Sequence, residues 1–388
     1  MKKRVLGLIF TGVMMLALTA CGDAEEKKYA LIENTTSEAD QLSSNSAWEG
    51  IMQFATENGE LAEIYKPEGE KRKNYAAAIE AAVEAGAEVV VCVGDEMAVP
   101  VYEAQNDYRN VNFVLLNADP HKRFSEKANI SENTIALHFD GMTESYLAGY
   151  MAVANGARDI GCMGGAENEE SKMAASGFIQ GAEAAAKDLS LTAGTVKIRY
   201  AFTGEDKLSP AYMSKALAWY TAGCEVIFAP NEQVRESVIQ AAENAQRKVI
   251  GIGKSSMEES ETILTASYIN YGGAVYQELM NIKNEVFVGE QSLLCGAKEN
   301  GVAVVLENSG LDENAVTHYN AVYQKLADGQ AKIDAETEMP VTALVTVETE
   351  HAAAEDGTAV EADSVTEEGD ASEADQTTGA DDEAKSEE

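Results

Sequence analysis

Segments 29–32, 61–65, 88–93, 112–116, 134–139, 160–163, 196–201, 226–229, 249–252 and 262–269 are apolar at nearly every position, and stretches of helical periodicity separate them. A strand that is apolar on both faces needs cover on both, and parallel sheets flanked by helices supply it. The chain therefore reads as α/β, with doubly wound parallel sheets. The first helix is predicted to start at Ser46, which has capping-box spacing to Glu49; Trp48, Ile51, Met52 and Ala55 follow at helical intervals. An Ala-rich helix over 75–85 is closed by Gly86. Strand and helix alternate four or five times before Asp140 and again after Gly156, with a helix from about Thr143 (TESYLAGYMAVANG) between the two halves. Two such lobes face each other with the carboxyl ends of their strands, so a ligand is expected between them.

The ends of the chain differ from this body. Met1-Lys2-Lys3-Arg4 is a positive start, 5–18 an apolar run of 14 residues, and LTAC (18–21) ends it with small residues before a cysteine. The run is shorter than the roughly 20 residues a membrane-spanning helix needs, so residues 1–20 are expected to be an export signal peptide. LTAC resembles the lipobox of bacterial lipoproteins. That resemblance implies an acylated Cys21, a lipidated tether over 21–28 and a place at the extracytoplasmic face of the cell membrane.

At the other end, 14 Asp and Glu against the single Lys385 put −13 of the net charge of −37 into residues 351–388. That stretch has no aromatic residue and no Leu, Ile or Met, so it cannot form a core. An acidic disordered tail is expected over 346–388. The remainder is acidic too, which argues against nucleic acid as a partner. Cys92, Cys162, Cys224 and Cys295 lie in or beside apolar runs with no CxxC or Cys/His cluster, so buried free thiols are expected and no metal site or cofactor.

Candidate ligand contacts are the polar residues that follow the strands. In the first half these are Asn34, Ser43, Asn45, Asp95, Glu96, Asn117 and Asp119. In the second they are Glu167, Asn168, Asn231, Arg235, Lys254, Ser255 and Ser256, with Tyr268 and Asn270 where the chain would cross between lobes. Loop chemistry and helix capping account for polar residues at such places equally well, Asp95 and Ser255 above all. Lys254 and Arg235 opposite Asp95 and Glu96 would suit a zwitterion or a polyhydroxy compound. No catalytic constellation emerges. GIGKSS has Lys248 where a phosphate-binding loop needs glycine. His121, His138, His318 and His351 have neither metal spacing nor a nucleophile elbow. His138 reads as a core histidine, and Tyr146 with Tyr150 as packing on one helix face.

YALIEN and SNSAWEGIMQFATENG, then EAGAEVVVCVG, NFVLLN, ESYLAGYMA, IGCMGG, SGFIQGAEAA, AGCEVIF and KVIGIG, resemble in that order the basic membrane protein (Bmp) lipoproteins. The resemblance implies the type I periplasmic-binding fold and the role of a purine nucleoside receptor feeding an ABC permease. It also implies three crossings, near 139–142, 267–270 and 300. Lobe 1 would then be 29–139 with 268–299, and lobe 2 would be 140–267 with 300–345. The family's strand-one aspartate falls on Asn34, its base-stacking aromatic on Ser43, its second cleft aromatic on Asp95, its ribose-binding aspartate on Gly253 or Lys254, and its basic hinge residue near Ile269 or Asn270. Flat aromatic faces hold a purine by stacking, and these positions lack them, with Phe202 or Tyr268 as the substitute faces. A monomeric, non-enzymatic receptor for a small polar solute is the leading expectation. A ligand sensor or surface interaction lipoprotein with a degenerate nucleoside site is the alternative.

Overall fold

The computed structural model describes residues 28–335, 340 and 342–350. The expected signal peptide, Cys21 and the segment 351–388 lie outside the described residues. The first half runs β1 (Lys28–Ile32), α1 (Glu38–Asn58), β2 (Leu61–Tyr65), α2 (Arg72–Glu84), β3 (Ala87–Val93), α3 (Ala98–Asp107), β4 (Asn112–Leu116) and β5 (Thr134–Phe139). The second runs α4 (Gly141–Ala154), β6 (Asp159–Gly164), α5 (Glu169–Asp188), β7 (Val196–Phe202), α6 (Pro210–Thr221), β8 (Val226–Phe228), α7 (Glu232–Ala245), β9 (Lys248–Ile252) and β10 (Ile263–Ile269). The last described part is α8 (Tyr271–Lys283), β11 (Gln291–Cys295), β12 (Val302–Val304), α9 (Glu313–Ala327) and β13 (Val345–Glu350).

Two sheets result, ordered β11-β5-β4-β3-β1-β2 and β12-β10-β9-β8-β6-β7-β13. Every pairing between these strands is parallel except β10 with β12. Both faces of each sheet are covered, as continuously apolar strands require: β3 alternates its side chains between one cluster with Ile79 and Val101 and another with Ile51 and Phe54. The chain passes from one sheet to the other at Asp140, at Asn270 and over 296–301. These connectors lie side by side, with Asp140 N donating to Cys295 O at 3.1 Å and Asn270 N to Gly301 O at 2.8 Å.

Two helix crossings rest on glycine. A Cβ on Gly149 would sit 1.9 Å from Phe178 O, and one on Gly181 would sit 1.9 Å from Tyr146 O, so α4 and α5 pack backbone to backbone. On the first sheet, a Cβ on Gly50 would sit 2.1 Å from Gly272 O, where α1 meets α8. The α4–α5 contact brings both helix N-termini to the same end of the second sheet. Tyr146 and Tyr150 are buried in this packing, Tyr150 donating to Asp188 at 3.0 Å. Cys92, Cys162, Cys224 and Cys295 are free and buried.

Three sequence readings need correction. α1 begins at Glu38 rather than Ser46, because the Ser37 side chain accepts from Asp40 N and nothing in 38–46 breaks the helix. Ser46 instead accepts from Gly272 N at 3.1 Å, within the α1–α8 crossing. Residues 346–350 are not tail: with Val345 they pair along β7 as β13, and the Glu183 carboxylate accepts from the N–H groups of Ala343, Leu344 and Val345. His138 is half-buried near the carboxyl end of β5, its Nε2 lying 3.1 Å from Asp119 Oδ1, which also accepts from Ser292.

Candidate functional site

A cavity of about 220 Å³ opens at the carboxyl ends of the second sheet, where α4, α5 and the loops after β6, β7 and β8 meet. Its walls include Met142, Glu144, Asn168, Glu170, Asp206 and Asn231. Each helix that begins there is capped by its own side chain. Asp140 accepts from Met142 N and Thr143 N, Asn168 from Ser171 N, and Asn231 from Val234 N. The N–H groups that would attract an anion at these helix ends are thereby partly used. Asp206 accepts from Ala166 N at 2.8 Å and lies so close to Gly165 that a Cβ there would be 1.7 Å from its oxygen. That explains the last glycine of the IGCMGG segment.

Glu144 is the unusual group in this wall. It sits in the first turn of α4, is 5% exposed, and its Oε1 meets no hydrogen-bond donor among the described residues. Burial, reinforced by Glu170, pushes its carboxyl up to about 8. It lies inside a helix rather than in a loop that follows a strand. The available signal was a lone carboxylate inside GMTESYLAGYMAVA, a helix buried on all sides, where charged residues are rare unless paired.

The anticipated contacts distribute unevenly. Asn231 lines the cavity, and Glu167 stands exposed beside it in an ion pair with Lys172 at 3.4 Å. Asn34 is fully buried: its amide donates to Val93 O and Glu96, and its carbonyl accepts from Thr36 and Tyr75. Gly94, at φ 93°, makes room for it, since a Cβ would fall 2.5 Å from Asn34 Nδ2. Ser43 is 2% exposed inside α1 and donates to Ala39 O, so the position has no open face. Asn45, Asp95 and Ser255 are exposed, and neither Asp95 nor Ser255 caps a helix; each lies in a short 3-10 turn entered through a positive-φ glycine. Arg235 is buried and bidentate to Glu259 at 3.0 and 2.7 Å, which removes it from ligand contact. Phe202 packs against Tyr200 with ring centroids 4.8 Å apart and over Gly164.

Lys254 joins the two sides. Its Nζ lies 4.7 Å from the centre of the Tyr268 ring and 3.9 Å from Glu49 on α1. Asn270 caps α8, accepting from Gly273 N at 3.2 Å. Among the described residues no cluster of His, Cys, Asp and Glu has metal-binding geometry, and no helix is long and apolar enough to cross a membrane.

Two doubly wound parallel sheets joined by three connectors, with a cavity at the strand ends, define a type I binding-protein fold. The chain belongs to the Bmp family, whose model, described as ABC transporter substrate-binding protein PnrA-like, matches residues 31–343. A CD4+ T-cell-stimulating antigen of Listeria monocytogenes and its counterpart in Listeria innocua are each 20% identical over 371 residues, covering 86% of this chain and 99% of theirs. An ABC transporter solute-binding protein from Conexibacter woesei is similar in structure with a TM-score of 0.59 at 16% identity, covering 80% of this chain and 98% of that one. A transcriptional activator of the comK gene from Bacillus halodurans follows at 0.56 and 16% identity, over 79% and 99%. At these identities the structural likeness carries the fold. The family match supports a solute-binding role rather than an enzymatic one.

Proposed function

We propose that this chain is the lipid-anchored, extracytoplasmic solute receptor of an ABC importer, taking a small polar solute between two lobes that close about the connectors at 140, 270 and 296–301. The carrying observation is the cavity between α4 and α5 at the strand ends, with a buried carboxylate in its wall. Cys21 behind the apolar run supports the anchor, and the Lys254–Glu49 contact supports approach of the two sides. Purine nucleosides are expected to bind weakly. Ser43 and Asn34 stand where the family's stacking and polar contacts are implied, and both are committed to internal bonds.

A thermal-shift screen of nucleosides, amino acids, amines and sugars on the full chain tests the reading. A solute at 100 times its dissociation constant stabilises by about 2.7 kcal/mol. A screen in which no solute raises the melting temperature contradicts it.

A further inference from the structure

We infer that the cavity between α4 and α5 binds the cationic group of its solute, an ammonium or guanidinium, with the Glu144 carboxylate as counter-charge. The inference rests on the solute-receptor reading and names the ligand class for that cavity.

The chemistry of the wall carries it. Its charged side chains are Glu144, Glu170 and Asp206, and no Lys or Arg lines it. The nearby cations are engaged elsewhere: Lys172 with Glu167, Arg235 with Glu259, and Lys254 with Glu49 and the Tyr268 ring. Asp206 already has a backbone partner, whereas Glu144 Oε1 has none despite being buried. A buried carboxylate without a partner is costly, and a cation brought by a ligand relieves that cost while gaining strong, charge-assisted hydrogen bonds. An anionic solute meets the reverse situation, three acids and helix ends whose caps are filled. The size agrees: 220 Å³ is below the usual range of about 300–1,000 Å³ for drug-sized ligands. It suits a small amine, or the cationic end of a longer molecule.

Proton linkage supplies an independent readout. Glu170 and Asp206 share the cavity with Glu144. On the other elements packed against α4, Tyr319 and Tyr323 of α9 bond to β12, and Tyr268 of β10 lies under Lys254. Lys325 pairs with Asp188 near the opposite end of α4. Burial and Glu170 keep Glu144 protonated at neutral pH, so a bound cation must displace that proton.

The test is calorimetric titration of the full chain with putrescine, spermidine, choline and L-arginine, with inosine, ribose and L-glutamate as contrasts, repeated on Glu144→Gln. The expected result is saturable binding of at least one cation, weakened about tenfold to a hundredfold in the variant. The binding heat should also vary with buffer ionisation enthalpy in the original chain and not in the variant. Binding confined to inosine, ribose or glutamate overturns the inference and leaves the receptor reading standing. Cation binding unchanged by Glu144→Gln also overturns it, and absence of binding by every probe overturns both.

Discussion

Replacing Glu144 by Gln should change how stability depends on pH, and the sign follows from its burial. The carboxyl is pushed up to about 8 in the folded chain, whereas an unfolded glutamate titrates at about 4.3. Below that lower value both states hold the proton and the group has no pH-dependent effect. As pH rises the unfolded chain loses its proton while the folded one keeps it, so stability falls by about 1.4 kcal/mol per pH unit until the folded group titrates. At pH 7 the accumulated loss is about 3.6 kcal/mol, and in Glu144→Gln it vanishes. Because Gln brings its own unmet hydrogen-bonding needs, the difference in slope is the readout rather than the absolute offset. Thermal melts at half-unit intervals from pH 4.5 to 8.5 should show the variant gaining on the original by about 6 °C by pH 7 and levelling off above pH 8. Parallel profiles for the two chains would mean that Glu144 ionises normally through a rearrangement that gives it water or a partner, and the reasoning from its burial would fail.

Gly181→Ala places a methyl 1.9 Å from Tyr146 O at the α4–α5 crossing; it should lower the urea midpoint by the equivalent of about 3 kcal/mol at unchanged m. Ending the chain after Glu350 should leave the melting temperature nearly unchanged, whereas ending it after Thr342 removes β13 and the buried Val345 and should cost about 2 to 3 kcal/mol by denaturant titration. Cys21→Ser should move the protein from the membrane to the soluble fraction in fractionated cells and remove lipid mass from the mature chain; unchanged membrane association would refute acylation at that residue.

The body of the fold was legible because a continuously apolar strand has few ways to be covered. Segments such as NFVLL and TIALHF match β4 and β5 to the residue. The strands that escaped notice are those with weaker or partly polar signatures. β11 is an edge strand with Leu294 exposed, and β12 has three residues. β13 alternates Val345, Val347 and Thr349 with Thr346, Glu348 and Glu350, a strand signal obscured by the acidic composition that follows. The site was harder to read, since position after a strand does not distinguish a side chain that faces a ligand from one that closes a loop. Asn34 and Arg235 illustrate the second outcome, each consumed by internal partners. Glu144 illustrates the complementary failure, a helix residue passed over because its helix looked like packing alone. Only the three-dimensional placement of α4 beside α5 shows that its carboxyl borders a cavity.

The central claim, that a solute is held by closure of two lobes, is most directly tested by a distance across the cleft. Asn45→Cys and Ser255→Cys place labels on exposed residues of α1 and of the turn after β9, beside the Glu49–Lys254 contact, while the described native thiols are buried. Spin-label distances in the full chain should shorten and narrow in one saturable step, over the same solute concentrations that raise the melting temperature. A solute that stabilises the chain while leaving that distance unchanged would contradict binding by lobe closure.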